Sequence, residues 1–78
     1  MTAKWTALAR LREAWMEADE AERPSVEASI RALLSGPSME KHEDFAMRVL
    51  TAGLDHVHAR KLCAACGIET SYRRRADV

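Results

Sequence analysis

Residues 50–71 read LTAGLDHVHARKLCAACGIETS, and residues that end a helix alternate along them with residues that begin one. Glycine commonly ends a helix in the left-handed conformation, so Gly53 marks a helix end, and Asp55 follows where a carboxylate can cap the next helix. Gly67 stands at the end of the next run of helix-forming residues. The segment therefore predicts one helix that ends at Gly53 and another that runs from Asp55 to Gly67.

Similar signals occur towards the N-terminus. Pro24 predicts the end of a long first helix over residues 2–22, and Ser25 is placed to cap a second helix. Gly36-Pro37 predicts the end of that helix, and Ser38 the cap of a third. Apolar residues at three- and four-residue steps mark the predicted inward faces, which are Trp5, Leu8, Leu11, Trp15 and Ala18 on the first helix, Val26, Ile30, Leu33 and Leu34 on the second, Phe45, Val49 and Leu50 on the third, and Leu62, Ala65 and Cys66 on the fourth.

The length and composition agree with a small helical domain. The chain has 78 residues, of which 47% are hydrophobic, and its three glycines all stand at predicted helix ends. This length leaves room for one core, and the predicted connections are short. We therefore expect an all-α fold, a compact bundle of four helices in a single domain over residues 1–78, with a short fifth C-terminal helical turn where Thr70 or Ser71 can begin one.

Charge is balanced over the whole chain but not along it. Twelve basic side chains offset twelve acidic ones, yet residues 1–55 carry a net charge of −3 and residues 56–78 a net charge of +3. A neutral total argues against a general electrostatic attraction to nucleic acid or lipid headgroups. There is no apolar run long enough for a membrane span and no signal-peptide pattern, so we expect no membrane partner and a cytoplasmic location.

The first candidate site is a group of metal-ligand residue types in the C-terminal third. Two imidazoles and two thiols, of His56, His58, Cys63 and Cys66, match tetrahedral zinc in type and number. His56 and His58 lie about 200° apart on a helix, which favours His58, Cys63 and Cys66 with a fourth ligand such as His42. The simpler alternative is that both cysteines are small buried hydrophobes and that the histidines are exposed. The default expectation is therefore no cofactor, with zinc as the other option.

The second candidate is the segment HARKLCAACGIETSYRRR, residues 58–75. It resembles the helix-turn-helix core of small transcription regulators, because Cys63 stands where a small residue is needed at the helix crossing and Gly67-Ile68 stands at the turn. It departs from that pattern at Arg73, where an apolar anchor is expected. The resemblance implies that Thr70, Ser71, Arg74 and Arg75 face DNA and that Arg60 and Lys61 reach phosphate. If DNA is the partner, Arg73 belongs to the same footprint, because it lies in the segment of net charge +3. The alternative is that Gly67 is an ordinary helix cap and that the arginines form a solvated tail.

The third candidate is a protein-binding surface on and after the first helix. Tryptophan is enriched where interfaces concentrate their binding energy, and the helix carries both Trp5 and Trp15. Trp15 is expected in the core, whereas Trp5 is open to either role. The carboxylates of Glu17, Glu20 and Glu22 would face a basic partner. The predicted partner contacts are therefore Trp5 and these three glutamates.

Catalysis has little support in the sequence. There is no glycine-rich phosphate loop and no nucleophile elbow, and a chain this short seldom builds a pocket that excludes water. We expect a small non-enzymatic binding protein, similar in size to those of phages and mobile elements, that acts as a regulator, adaptor or inhibitor by occupying the surface of a larger macromolecule. A protein is the expected partner, and the alternative is a helix-turn-helix transcriptional regulator that binds DNA. Because Met16 and Met39 fall off the inward faces and the core is thin, a homodimer through the first helix is also expected.

Overall fold

The computed structural model describes the backbone of residues 2–35 and 42–76, and that part of the chain forms five helices and no strand. The helices are α1 (Thr2–Glu17), α2 (Arg23–Leu34), α3 (Glu43–Thr51), α4 (His56–Ala65) and α5 (Glu69–Ala76). α1 packs against α2 and α3, while α3, α4 and α5 pack against one another. The predicted all-α fold is confirmed. None of the described helices is both long and apolar enough to cross a membrane.

One buried cluster joins the first four helices and the turn before α5. Its most completely covered large side chains are Leu8, Trp15, Ile30, Met47, Leu50, Leu62 and Cys63. The indole Nε1 of Trp15 donates to Oε2 of Glu27 at 2.9 Å, and the guanidinium carbon of Arg23 lies 4.1 Å from the centroid of the indole. The predicted core position of Trp15 is therefore confirmed, and its polar edge has a partner.

Two arginines from the first two helices bind the ends of later helices. Arg12 of α1 donates to the carbonyl of Val49 at 2.6 Å, and Arg31 of α2 donates to the carbonyl of Ala65 at 2.9 Å. Both carbonyls lie in the last turn of a helix, where no backbone N–H within the helix is left to bind them. A cation is also favoured there by the helix dipole. These side chains tie α1 to α3 and α2 to α4.

The first helix is shorter than predicted because Asp19 turns the chain. Its carboxylate accepts from the backbone N–H of Glu22 at 3.0 Å, and its carbonyl accepts from the N–H groups of Glu22 and Arg23. α2 begins at Arg23, so Pro24 stands in the first turn of a helix, where its missing N–H costs nothing, and does not end one. The predicted cap at Ser25 is wrong, because Ser25 lies inside α2.

The predicted inward face of α3 is correct only in part. Leu50 is fully buried, but Phe45 is 48% exposed, and its place is taken by Ala46 and Met47. The helix that contains Phe45 begins at Glu43. Residues 36–41 lie outside the described residues, and with them the predicted Gly36-Pro37 helix end, the Ser38 cap and Met39. The described part of α2 ends at Leu34, close to its predicted end.

The limits of α4 are those predicted from its flanking residues. Gly53 and Gly67 have φ angles of 77° and 81°, in the left-handed region that residues with a side chain rarely adopt. The carboxylate of Asp55 accepts from the backbone N–H of His58 at 2.8 Å, as expected of an N-cap. α5 starts at Glu69, one residue before Thr70, and its eight residues make about two turns where a single turn was expected.

Removal of the Asp55 cap should lower the melting temperature in a pH-dependent way. The bond from the His58 backbone, followed by the bond from the His58 side chain, holds the pKa of Asp55 below its usual value of 3.8. Because the folded pKa is the lower one, the stabilisation is present at neutral pH and is lost as pH falls below 3.8 through the folded value. Asp55→Ala should therefore melt a few degrees lower than the native protein at neutral pH, and the gap should close in acid.

Asp55→Asn is the matched control, since asparagine caps helices about as well as aspartate without ionising. Thermal unfolding followed by circular dichroism, from neutral to acidic pH, gives the melting temperatures of the native protein and the two variants. Equal melting temperatures for the native protein and Asp55→Ala at neutral pH would contradict the prediction.

Candidate nucleic-acid interface

α4 and α5 form a two-helix unit joined by three residues. Gly67 donates its N–H to the carbonyl of Ala64 at 3.3 Å, and Ile68 donates to the carbonyl of Cys63 at 3.0 Å. These two bonds define the Schellman motif, which satisfies the last carbonyls of α4 and depends on the left-handed Gly67. Ile68 is buried after the turn, so the chain is fixed where it enters α5.

The three residues of α4 that the helix-turn-helix resemblance expects to face inward are buried. Cys63 is fully buried at the position where the resemblance expects a small residue, and Leu62 and Cys66 are buried beside it. α3 packs on both helices of the unit. The C-terminal arginines therefore lie on a helix that packs against α3 and α4, and since Arg73 and Arg74 are exposed, a DNA contact and a solvated helix end both remain open.

Two polar residues anchor α5 to the rest of the molecule. Ser71 is only 3% exposed, and its hydroxyl donates to Oε1 of Glu43 on α3. Tyr72 packs against the core, and its hydroxyl lies 2.8 Å from Nδ1 of His56 on α4. These anchors replace the apolar residue that the resemblance expects at Arg73. Ser71 consequently faces the protein interior, so the expectation that it faces DNA is wrong for this residue.

The anchors leave a polar and basic outer face on α5, formed by Thr70, Arg73 and Arg74, which are all exposed and spaced three and four residues apart. Nη2 of Arg73 lies 3.3 Å from Oε1 of Glu69, and Nη2 of Arg74 lies 3.3 Å from Oγ of Ser71. The side chain of Arg73 remains 64% exposed in its ion pair. The exposed ion pair of Arg73 is weak, and Arg74 contacts a neutral hydroxyl through one of its nitrogens, so both guanidinium groups keep donors for another anion.

The other predicted basic contacts are also on the two-helix unit. Arg60 and Lys61 are exposed on α4, and Nζ of Lys61 lies 3.7 Å from Oε1 of Glu20. Both side chains of this pair are largely exposed, so the pair is weak and Lys61 can still bind another anion. Arg75 lies in α5, and its side chain is outside the described residues. The exposed cations of the unit thus come from both of its helices.

The predicted zinc ligands are not brought together. Nδ1 of His58 lies 2.8 Å from Oδ2 of Asp55, and its ring meets Trp15 edge-on at 6.2 Å between centroids. Burial raises the pKa of Cys63 to about 11 and that of Cys66 to about 12, so both are protonated thiols at neutral pH. Within residues 2–35 and 42–76, no three His, Cys, Asp or Glu side chains are placed to hold a metal ion.

The predicted protein contacts are spread over the length of α1. Trp5 is partly buried near its start, whereas Glu17 is its last residue, about 18 Å away at 1.5 Å per residue. Glu20 and Glu22 are exposed in the turn that follows. The acidic corner of Glu17, Glu20 and Glu22 is therefore a surface separate from Trp5.

Trp5 belongs instead to a group of aromatic rings that sequence reasoning missed. Its ring centroid lies 4.6 Å from that of Phe45, at an interplanar angle of 70°, and 6.2 Å from that of His42, at 90°. We call Trp5, His42 and Phe45 the aromatic edge. The sequence did contain a signal for the position of Phe45. α3 has a second set of apolar residues, which includes Met47 and Leu50, and burial of that set leaves Phe45 exposed.

No protein-family model, curated protein or solved structure matches this chain. The functional argument therefore depends on the geometry of its own residues.

Proposed function

We propose that this chain is a non-enzymatic DNA-binding protein that places α5 in the major groove of a duplex, as helix-turn-helix regulators do. The observation that carries the proposal is the anchoring of α5 through Ser71 and Tyr72, which fixes the rotation of the helix and turns Arg73 and Arg74 outward. An α-helix with its side chains is about 10–12 Å across and so fits into the major groove, which is about 12 Å wide, and the eight residues of α5 give about 12 Å of helix to lie in it.

The exposed side chains have the chemistry that this role requires. Arginine binds guanine through two parallel hydrogen bonds to O6 and N7 and also binds phosphate, so Arg73 and Arg74 can do either. The hydroxyl of Thr70 can donate or accept. Arg60 and Lys61 on α4 would contact the phosphate backbone, which sets the position of the protein on the duplex without reading its sequence.

The charge distribution supports modest rather than strong electrostatic binding. Residues 56–78 carry a net charge of +3 and include the exposed cations of the proposed contact, but the −3 of the remaining chain offsets it at long range. Few phosphate contacts release few counterions, so binding should depend on salt with a shallow slope. Low ionic strength is therefore the condition in which to look for it.

Removal of both outward arginines should abolish most of the binding. We expect Arg73→Ala combined with Arg74→Ala to weaken binding to a labelled mixed-sequence duplex at least tenfold at low salt. The slope of log affinity against log salt should fall by about 0.9 for each of these arginines that contacts phosphate, because each lost phosphate contact releases about 0.9 fewer counterions. Fluorescence anisotropy over a salt series measures both quantities.

The matched control is Arg10→Ala combined with Arg48→Ala, which removes the same charge from exposed positions on α1 and α3. This control should bind DNA nearly as the native protein does. The proposal is overturned if the native protein binds no duplex at low salt, including a random-sequence pool, or if the control loses as much affinity as the α5 variant.

A protein partner is the second candidate, favoured by the acidic corner, whose Glu20 side chain is 87% exposed. A pull-down from the native host at physiological salt, with and without nuclease, separates the two. A partner that survives nuclease and is lost on combined Glu17→Gln, Glu20→Gln and Glu22→Gln substitution would support the protein candidate. A partner that disappears with nuclease would support DNA.

A further inference from the structure

α5 carries a glutamate in contact with one of its outward arginines. Nη2 of Arg73 lies 3.3 Å from Oε1 of Glu69, and the two side chains are 64% and 39% exposed. A carboxylate beside an arginine reduces the attraction of the surface for phosphate, because it brings a negative charge towards the DNA backbone. General binding to phosphate therefore gains nothing from this glutamate.

The anchors of α5 determine where the pair points. Ser71 and Tyr72 face the rest of the protein, which fixes the rotation of the helix. At about 100° per residue, the opposite direction falls between Thr70 and Arg73, and Glu69 lies about 40° from Arg73 around the helix. Arg73 is therefore close to the centre of the outer face, with Glu69 beside it. With α5 in the major groove, both side chains face the edges of the bases.

The donors and acceptors of this pair match those of one kind of base pair. Across the major groove a G·C pair presents two acceptors, N7 and O6 of guanine, and then the N4 donor of cytosine, whereas an A·T pair presents an acceptor, a donor and an acceptor. A guanidinium only donates, and a carboxylate only accepts. O6 and N4 lie side by side because they bind each other within the base pair, and the guanidinium of Arg73 and the carboxylate of Glu69 also lie side by side. The two side chains together are thus complementary to a G·C pair and mismatched with an A·T pair.

We propose that Glu69 and Arg73 recognise one G·C base pair as a unit. Arg73 donates to N7 and O6 of the guanine, and Glu69 accepts from N4 of the cytosine. The contact that already joins the two side chains keeps them adjacent, so less side-chain freedom is lost when DNA binds. This inference rests on the proposed placement of α5 in the major groove and adds the base pair that the helix selects.

Three labelled duplexes of one length test the selection: alternating dG and dC, alternating dI and dC, and alternating dA and dT. Inosine lacks the minor-groove N2 amino group of guanine but keeps O6 and N7, so the first two duplexes are alike in the major groove. The native protein should bind these two with similar affinity. It should bind the dA-dT duplex at least about fivefold more weakly, which is the lower end of the discrimination that a bidentate base contact provides. Fluorescence anisotropy at low salt measures the three affinities.

Glu69→Gln tests the part that the glutamate plays. The amide of glutamine donates as well as accepts, so it no longer excludes an A·T pair, and the variant brings one negative charge less to the DNA. Its affinity for the dA-dT duplex should rise, and its preference for the dG-dC duplex should fall to less than half of the native value. A purely structural role of Glu69 in the first turn of α5 would change the melting temperature and leave the base preference unchanged.

Glu13→Gln is the matched control, because it removes the same charge from an exposed glutamate that also contacts an arginine. Oε1 of Glu13 lies 3.0 Å from Nη2 of Arg12 on α1. This control should keep the native preference, and circular dichroism confirms that each variant is folded.

The outcomes separate the base-pair selection from DNA binding itself. A native protein that binds all three duplexes equally overturns the selection and leaves DNA binding in place. The same conclusion follows if the dI-dC duplex binds as weakly as the dA-dT duplex, because the minor groove would then set the preference, or if Glu69→Gln keeps the full preference. A native protein that binds none of the three duplexes and no random-sequence pool overturns the proposed function together with the selection.

Discussion

Replacing Trp15 with alanine should lower the free energy of unfolding by about 3–5 kcal/mol, as removal of a large buried aromatic side chain typically does. The indole is completely covered, donates to Glu27, lies under the guanidinium of Arg23 and meets the His58 ring edge-on. All of these contacts disappear together, and a cavity remains. A loss of this size is a large share of the stability expected of a 78-residue domain.

Trp5→Ala is the matched control, since Trp5 is the same residue type in a partly exposed position on the same helix. Urea unfolding followed by circular dichroism should show that it costs less than half as much as Trp15→Ala. Trp15→Phe keeps most of the apolar area and loses the bond to Glu27, so its cost should fall between the two. If Trp15→Ala does not fold at all, the comparison of Trp15→Phe with Trp5→Phe replaces it. Equal costs at the two positions would contradict the prediction.

Alkaline pH should destabilise the protein through its two buried thiols. Burial raises the pKa of Cys63 from 9.0 to about 11 and that of Cys66 from 9.0 to about 12, and the charge of Glu27 adds to the effect at Cys66. Above pH 9 the unfolded chain releases thiol protons that the folded protein keeps, so the free energy of unfolding falls as pH rises. The fall should reach up to about 1.4 kcal/mol per pH unit for each thiol, until pH passes the folded pKa values.

Urea unfolding of the reduced protein from neutral pH to about pH 10 measures this fall. The control is the double variant Cys63→Ala and Cys66→Ala, whose stability should change much less over the same range, because it lacks both buried thiols. Iodoacetamide should label the thiols slowly in the native protein and rapidly in urea. An identical pH dependence for the native protein and the double variant would contradict the prediction.

The limits of α4 were predictable because each depends on chemistry within one helical turn. Gly53 and Gly67 supply the left-handed conformation, and Asp55 caps the N–H of a residue three positions away. The anchoring of α5 was not predictable in this way. Ser71 binds Glu43, which is 28 residues away in the sequence, so only the packing of α5 on α3 could reveal the contact.

The aromatic edge and the start of α2 show where local signals are ambiguous. In α3, a face centred on Phe45 and one centred on Met47 are both apolar, and packing against α1 decides between them. A proline such as Pro24 is equally compatible with the end of one helix and the first turn of the next. The Asp19 side chain selects the second outcome by turning the chain earlier. For zinc, the sequence supplied suitable residue types, but Cys63 and Cys66 are buried, and among the described residues no three possible ligands are placed to hold a metal ion.

α3, α4 and α5 pack against one another as a separate domain would. The hydrogen bonds from the arginines of α1 and α2 nevertheless indicate that these three helices do not fold without the first two. A fragment that began at α3 would lose Arg12 and Arg31, and with them the donors to the carbonyls of Val49 and Ala65. It would also expose the core surface that Trp15 covers. Grafting α3 to α5 onto another protein should therefore fail to transfer a folded unit unless α1 and α2 are grafted with them.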